Sequence, residues 1–197
     1  AKAISLGTQV YDTVATELEQ RWYAFSVAKA TKFTAAMVMD DTADFDLYVY
    51  KLNETDGTLE LVGGSAIVGA GTQELSMLKL DEGIYFIGIE AATGNGSFLM
   101  YTYAGVNDGK EINDTTDLAS SYVRNSRMTA TIDSPFDYDY YKVVISKNDI
   151  LEYTFDQPTG CDYKVLVYDG KNYYTINNGT YRLNTCLLYT SPSPRDR

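Results

Sequence analysis

Apolar and polar residues alternate with a period of two in short runs from Gln9 to Tyr103, and glycine-rich turns punctuate the runs. The pattern predicts strands over Gln9–Val14, Arg21–Val27, Lys32–Met39, Phe45–Leu52, Leu59–Val62, Gln73–Leu80, Ile84–Glu90 and Ser97–Tyr103. The separators are Asp56-Gly57, Gly63-Gly64, Gly69 to Gly71, Glu82-Gly83 and Gly94-Asn95-Gly96, all turn formers. Tyr23, Phe25 and Val27 alternate with Trp22, Ala24 and Ser26, as Phe45, Leu47 and Val49 do with Asp46, Tyr48 and Tyr50. Each set therefore occupies one face of its strand, and the aliphatic-aromatic set is the candidate core. No helical period persists beyond two turns, so the expected class is all-β, a sandwich of the jelly-roll kind.

The pattern then repeats. Asp44-Phe45-Asp46-Leu47-Tyr48-Val49-Tyr50 answers to Asp162-Tyr163-Lys164-Val165-Leu166-Val167-Tyr168, 118 positions on. Arg21 to Val27 falls on Asp139 to Ile145 at the same offset without a gap. A shared offset at two strand-like segments marks a duplicated module. Two tandem sandwiches are expected, over 1–104 and 105–185, joined by a linker from Ala104 to Lys110. The second offers strands at Met128–Ile132, Tyr140–Ser146, Ile150–Asp156, Lys164–Tyr168 and Tyr173–Ile176. Counterparts of Gly83 and Ser97 would fall at 201 and 215 of a 197-residue chain. The second copy is thus expected to be truncated by two strands, with exposed edges.

The segment from Cys186 to Asp196 resembles, over eleven consecutive residues, the in-frame translation of a common transposase-type DNA-sequencing adapter. A natural Ser/Pro linker is the other reading. On the first, 186–197 stands outside the fold, Cys161 is the one genuine cysteine, the natural frame was cut near Thr185, and the sequence derives from assembled environmental reads.

Composition narrows the function classes. With 16 basic and 27 acidic residues the net charge is −11, which repels phosphate backbones and argues against nucleic acid as a partner. No run approaches the roughly 20 apolar residues that span a bilayer. Neither an initiator Met nor an apolar signal core opens the chain, so a mature or excised piece is expected. There is no His, which removes Ser-His-Asp and Cys-His catalysis. Asp44 and Asp46 share a strand face by spacing, yet neighbours on one strand cannot straddle a glycosidic bond. Cys161 lacks a basic neighbour and is expected to be an inert buried thiol. The 18 Tyr, Tyr138, Tyr140, Tyr173 and Tyr174 among them, suit either sandwich packing or a flat platform for a polysaccharide or fibrous protein.

Four motifs come in a familiar order: Arg21 to Val27, Asp44 to Tyr50, Gly83 to Ile89 and Gly94 to Leu99. Together the chain resembles the bacterial pre-peptidase C-terminal domain, a β-sandwich attached to secreted proteases and collagenases. The resemblance implies a non-catalytic accessory module of an exported bacterial protein, with the parent catalytic domain missing from this chain. Stalk repeats of a surface adhesin are the alternative. In collagen-binding relatives calcium is held by a Glu-x-Asn-Asp run before the domain and by Asp residues ahead of an aromatic strand. Glu111, Asn113 and Asp114, with Asp137 and Asp139 before Tyr140-Tyr141, match that arrangement. The spacing of Asp133 and Asp137 departs from it. Oxygen-rich loops of this kind suit Ca²⁺, and they equally suit Asx-turns in a solvated acidic linker. Arg21 stands where Asp139 would in the first copy, so no such site is expected there.

Overall fold

A computed structural model describes residues 1–106, 108–182 and, for backbone alone, 187–194. The described residues contain strands and no helix, and the chain divides into two compact units, Ala1–Asn107 and Asp108–Arg197. No helix among them is long and apolar enough to cross a membrane.

The described residues of unit 1 form nine strands: β1 Lys2–Ala3, β2 Gln9–Val14, β3 Gln20–Val27, β4 Thr31–Met39, β5 Asp44–Leu52, β6 Leu59–Ser65, β7 Glu74–Leu80, β8 Gly83–Thr93 and β9 Gly96–Val106. A five-stranded sheet runs β1-β3-β8-β5-β6, and a four-stranded sheet runs β2-β9-β4-β7. Between them lies one apolar cluster in which Phe25 of β3 stacks on Phe33 of β4 at 5.0 Å. Phe45 of β5 meets Phe98 of β9 edge-on at 6.1 Å. Phe45, Leu47 and Val49 are wholly buried while Asp46, Tyr48 and Tyr50 are half-buried, as the period-two pattern requires. β9 runs through Val106, so the linker begins later than the turn signals suggest.

Unit 2 repeats the pairing order of the five-stranded sheet. Its strands are β10 Ser120–Ser121, β11 Tyr141–Val144, β12 Ile150–Tyr153, β13 Tyr163–Tyr168, β14 Tyr173–Thr175, β15 Gly179–Arg182 and β16 Leu187–Pro194. They form the sheet β10-β11-β16-β13-β14 and the two-stranded sheet β12-β15. Short parallel edge strands open both larger sheets, with Lys2 opposite Tyr23 and Ser120 opposite Tyr141, 118 positions later in each member. The unit 2 core is small, centred on Val143, Ile145 and Val167.

One expectation is corrected here. Met128–Ile132 is not a strand, because its counterpart β2 pairs with β9 and the described residues of unit 2 contain no equivalent of β9. Leu187–Pro194, part of the adapter-like segment, pairs antiparallel with both β11 and β13. That slot is the one β8 fills in unit 1, and an unfilled gap would leave two rows of backbone groups unpaired. The substitute is imperfect, since Pro192 and Pro194 have no N–H to donate to the ladder.

Candidate metal centre

The lead-in segment of unit 2 folds onto the stretch before β11 through main-chain bonds. The Tyr140 N–H donates to the Asn113 carbonyl at 2.8 Å, and the Asn113 side-chain amide donates to the Tyr140 carbonyl at 3.3 Å. Asp114 accepts from the Tyr138 N–H at 3.2 Å. Ser120 completes the clasp: its N–H reaches the Tyr140 carbonyl and its hydroxyl the Lys110 carbonyl. Asp137 takes the Asp133 N–H while its own N–H donates to the Ser134 carbonyl at 3.2 Å, closing an acidic turn ahead of the strand.

This clasp brings together three of the five predicted ligands. One carboxylate oxygen each from Glu111, Asp137 and Asp139 lie within 4.8 Å of one another, and all three residues are buried. Asn113 and Asp114 are buried beside them in the chain, Asn113 completely. The Asn113 side-chain oxygen is out of contact with water and accepts no hydrogen bond. A buried amide oxygen without a donor is costly, and a cation is one remedy. Oxygens held at about 2.4 Å by one Ca²⁺ are at most about 4.8 Å apart, so the spacing fits that ion. Tyr141, the first residue of β11, points its hydroxyl into the same buried region, and burial followed by the Asp139 charge pushes its pKa up. Glu111, Asp137 and Asp139 are thus the residues that could hold a cation such as Ca²⁺ here, and the buried Asn113 oxygen adds a neutral acceptor on the same segment as Glu111.

The corresponding corner of unit 1 is built differently. Arg21 occupies the place of Asp139 and Glu19 that of Asp137, and the Arg21 guanidinium reaches Glu19 at 2.5 Å and Asp12 at 3.7 Å. The Tyr23 hydroxyl donates to Asp12 at 2.7 Å, and burial with this bond pushes its pKa up. Burial works against ionised Asp12, yet Tyr23, the Thr13 N–H and Arg21 together hold its carboxyl below the usual range. The arginine bond does the same for Glu19. Sequence reading noted Arg21 as a missing ligand and missed that it is itself the cation. The signal available was an Arg two residues after a Glu at a strand start.

No chain of reactive groups emerges elsewhere among the described residues. Asp44 is buried and accepts from the Gly69 N–H, while Asp46 is half-buried and accepts from the Tyr48 hydroxyl, so the two carboxylates are engaged by different partners. Two Ser-x-x-Lys spacings, Ser26 to Lys29 and Ser76 to Lys79, lie on strands or their ends. Positions three apart on a strand face opposite ways, and Ser76 is buried while Lys79 is exposed. Cys161 is half-buried rather than enclosed, beside the Tyr163 hydroxyl, whose pKa the thiol and burial push up to about 12. Cys186 lies outside the described residues. Of the predicted platform tyrosines, Tyr173 stacks on Tyr168 at 4.6 Å and its hydroxyl lies 3.4 Å from that of Tyr140, while Tyr138 and Tyr174 are exposed.

No family model matches the chain, and no curated protein matches it. Among solved structures it is similar to the pre-peptidase C-terminal domain of a collagenase from Bacillus anthracis. That likeness has 15% identity, covers 51% of this chain and 91% of the other, and has a TM-score of 0.44. It is also similar to a protein from Sulfurospirillum deleyianum, at 10% identity, over 48% of this chain and 96% of that one, with a TM-score of 0.33.

Proposed function

We propose that this chain is a non-catalytic accessory module of an exported, extracellular bacterial protein, attaching a larger protein to a polymer or surface. A calcium ion staples the lead-in segment of its second unit to the sheet. The observation that carries the reading is the buried convergence of Glu111, Asp137 and Asp139 around the clasp of Asn113 and Tyr140. Its ligands come from two separate segments, so cation binding fixes the chain leading into the unit relative to its sheet. That is a structural use of a metal rather than a catalytic one. The calcium-bound state orders 108–114 and presents the tyrosines of unit 2 on a fixed frame.

Two assays test this. Retention of the full chain on insoluble collagen, cellulose or chitin supports attachment, and no retention on any polymer favours the alternative, a spacer repeat in a stalk. Thermal melts with calcium and with chelator test the staple. A second-unit transition that rises in calcium supports it, and one indifferent to both removes the ion from the account.

A further inference from the structure

The outer face of the five-stranded sheet in unit 1 is not the solvated polar surface that a two-layer sandwich ordinarily presents. Trp22, Gly88 and Tyr48 stand directly opposite one another across β3, β8 and β5. The indole lies over the glycine: a Cβ at Gly88 would come within 3.2 Å of two ring carbons. The ring therefore lies along the sheet instead of standing away from it, and it reaches Tyr50 at 5.4 Å between centroids. One row further along, Gln20, Glu90 and Asp46 are likewise opposite one another.

These polar groups form an ordered rim. The Trp22 indole N–H donates to Gln20 Oε1 at 3.0 Å, the Gln20 amide donates to Glu90 at 2.5 Å, and the Tyr48 hydroxyl donates to Asp46 at 3.0 Å. Each carboxylate retains a second oxygen beyond the one used. The outward positions of β3, β5 and β8 include neither Lys nor Arg.

We propose that this face binds a neutral, extended polysaccharide. The inference rests on the accessory reading and names its partner for unit 1. The Trp22 indole lying along the sheet, with Tyr50 tilted 40° to it, offers area to the C–H faces of sugar rings at little cost in side-chain freedom. Asp46 and Glu90 accept from sugar hydroxyls, and the amide of Gln20 orients the rim. Two carboxylates with no Lys or Arg at the outward positions of β3, β5 and β8 among the described residues repel acidic polymers and nucleic acids, which selects a neutral chain. Adjacent strands are about 4.8 Å apart, so the row from Trp22 to Tyr48 spans about 10 Å, room for more than one sugar ring.

The chain contains one tryptophan, so indole emission reports on this face alone. The full chain is titrated with cellohexaose, xylohexaose and chitohexaose. A saturable change in emission with at least one of them is expected, weakened at least tenfold by Tyr48→Ala and by Glu90→Gln. Calorimetry reads Trp22→Ala, which lacks the reporter and is expected to lose binding, and the unit 1 melt checks that each variant folds. Glu19→Gln, away from the face, is expected to bind as the parent does. The proposal is overturned if none of the three sugars is bound, or if binding survives Tyr48→Ala and Trp22→Ala in folded protein. Retention on collagen that is unchanged by the same variants overturns it while leaving the accessory reading standing. Failure to be retained on any polymer overturns both.

Discussion

At the start of β3, unit 1 sets Arg21 among Glu19, Asp12 and Tyr23; ahead of β11, unit 2 sets Asp139 among Asp137, Glu111 and Tyr141. The two corners occupy matching places in sheets of the same pairing order. Both gather acids beside a buried tyrosine. In unit 1 a guanidinium carried by the chain lies among them, whereas in unit 2 one oxygen from each of three buried carboxylates lies within 4.8 Å of the others, the arrangement on which the proposed calcium site rests. The corners differ in the residue at the strand start, Arg21 against Asp139, and in Glu111, which the lead-in segment of unit 2 contributes. The surrounding packing differs in the same sense. Unit 1 closes aromatic rings between two sheets of five and four strands, while unit 2 buries a few aliphatic side chains beneath a second sheet of two.

The contrast is broken most severely through β16. Deleting 186–197 removes the strand between β11 and β13 and is expected to abolish the cooperative transition of unit 2 while leaving that of unit 1 in place, as read by calorimetry. Survival of both transitions would mean that β16 contributes no stability. Next in size, Ile87→Ala at a fully buried position of β8 should cost unit 1 about 2–5 kcal/mol, with the unit 2 transition unmoved. A shift of both transitions would show that the units do not unfold independently. Arg21→Ala removes the internal cation and should cost unit 1 about 1 kcal/mol, an effect that calcium does not restore.

The smallest effect is that of acid. Asp12 and Glu19 have folded pKa values below their ordinary 3.8 and 4.5, so the stability they contribute is complete above those values. It is lost as pH falls through the lower, folded-state values. Unit 1 should therefore hold its midpoint down to about pH 4.5 and decline below it, and Arg21→Ala should flatten that decline. A decline of equal steepness in the variant would place the acid sensitivity elsewhere.

Much of unit 1 was legible because its signals agree. Strict alternation in β3 and β5, with Gly at the turns, leaves one face for the core, and the buried residues are those the period selects. The misreadings arise where pairing overrides local pattern. Met128–Ile132 has the letters of a strand without a partner, while Gly179–Arg182 forms one because it lies beside β12. Asp44 is buried and engaged by the Gly69 N–H, a partner 25 residues away that spacing alone does not announce. Asp137 and Asp139 could be named because they precede an aromatic strand start, and Glu111 and Asp114 because they lie on the acidic segment entering the unit, but Asn113 as a buried acceptor depends on which backbone groups the clasp consumes. The role of Arg21 rests on Glu19, two residues away, whereas the alignment of Trp22 over Gly88 depends on a cross-strand neighbour distant in sequence.

Calcium titration of the full chain by calorimetry, set beside the same titration of Asp139→Asn, tests the central claim most directly. The account predicts a single site in the parent, lost in the variant, with the unit 2 midpoint raised by calcium and the unit 1 midpoint indifferent to it. Binding that survives Asp139→Asn, or no binding in a folded second unit, would contradict it.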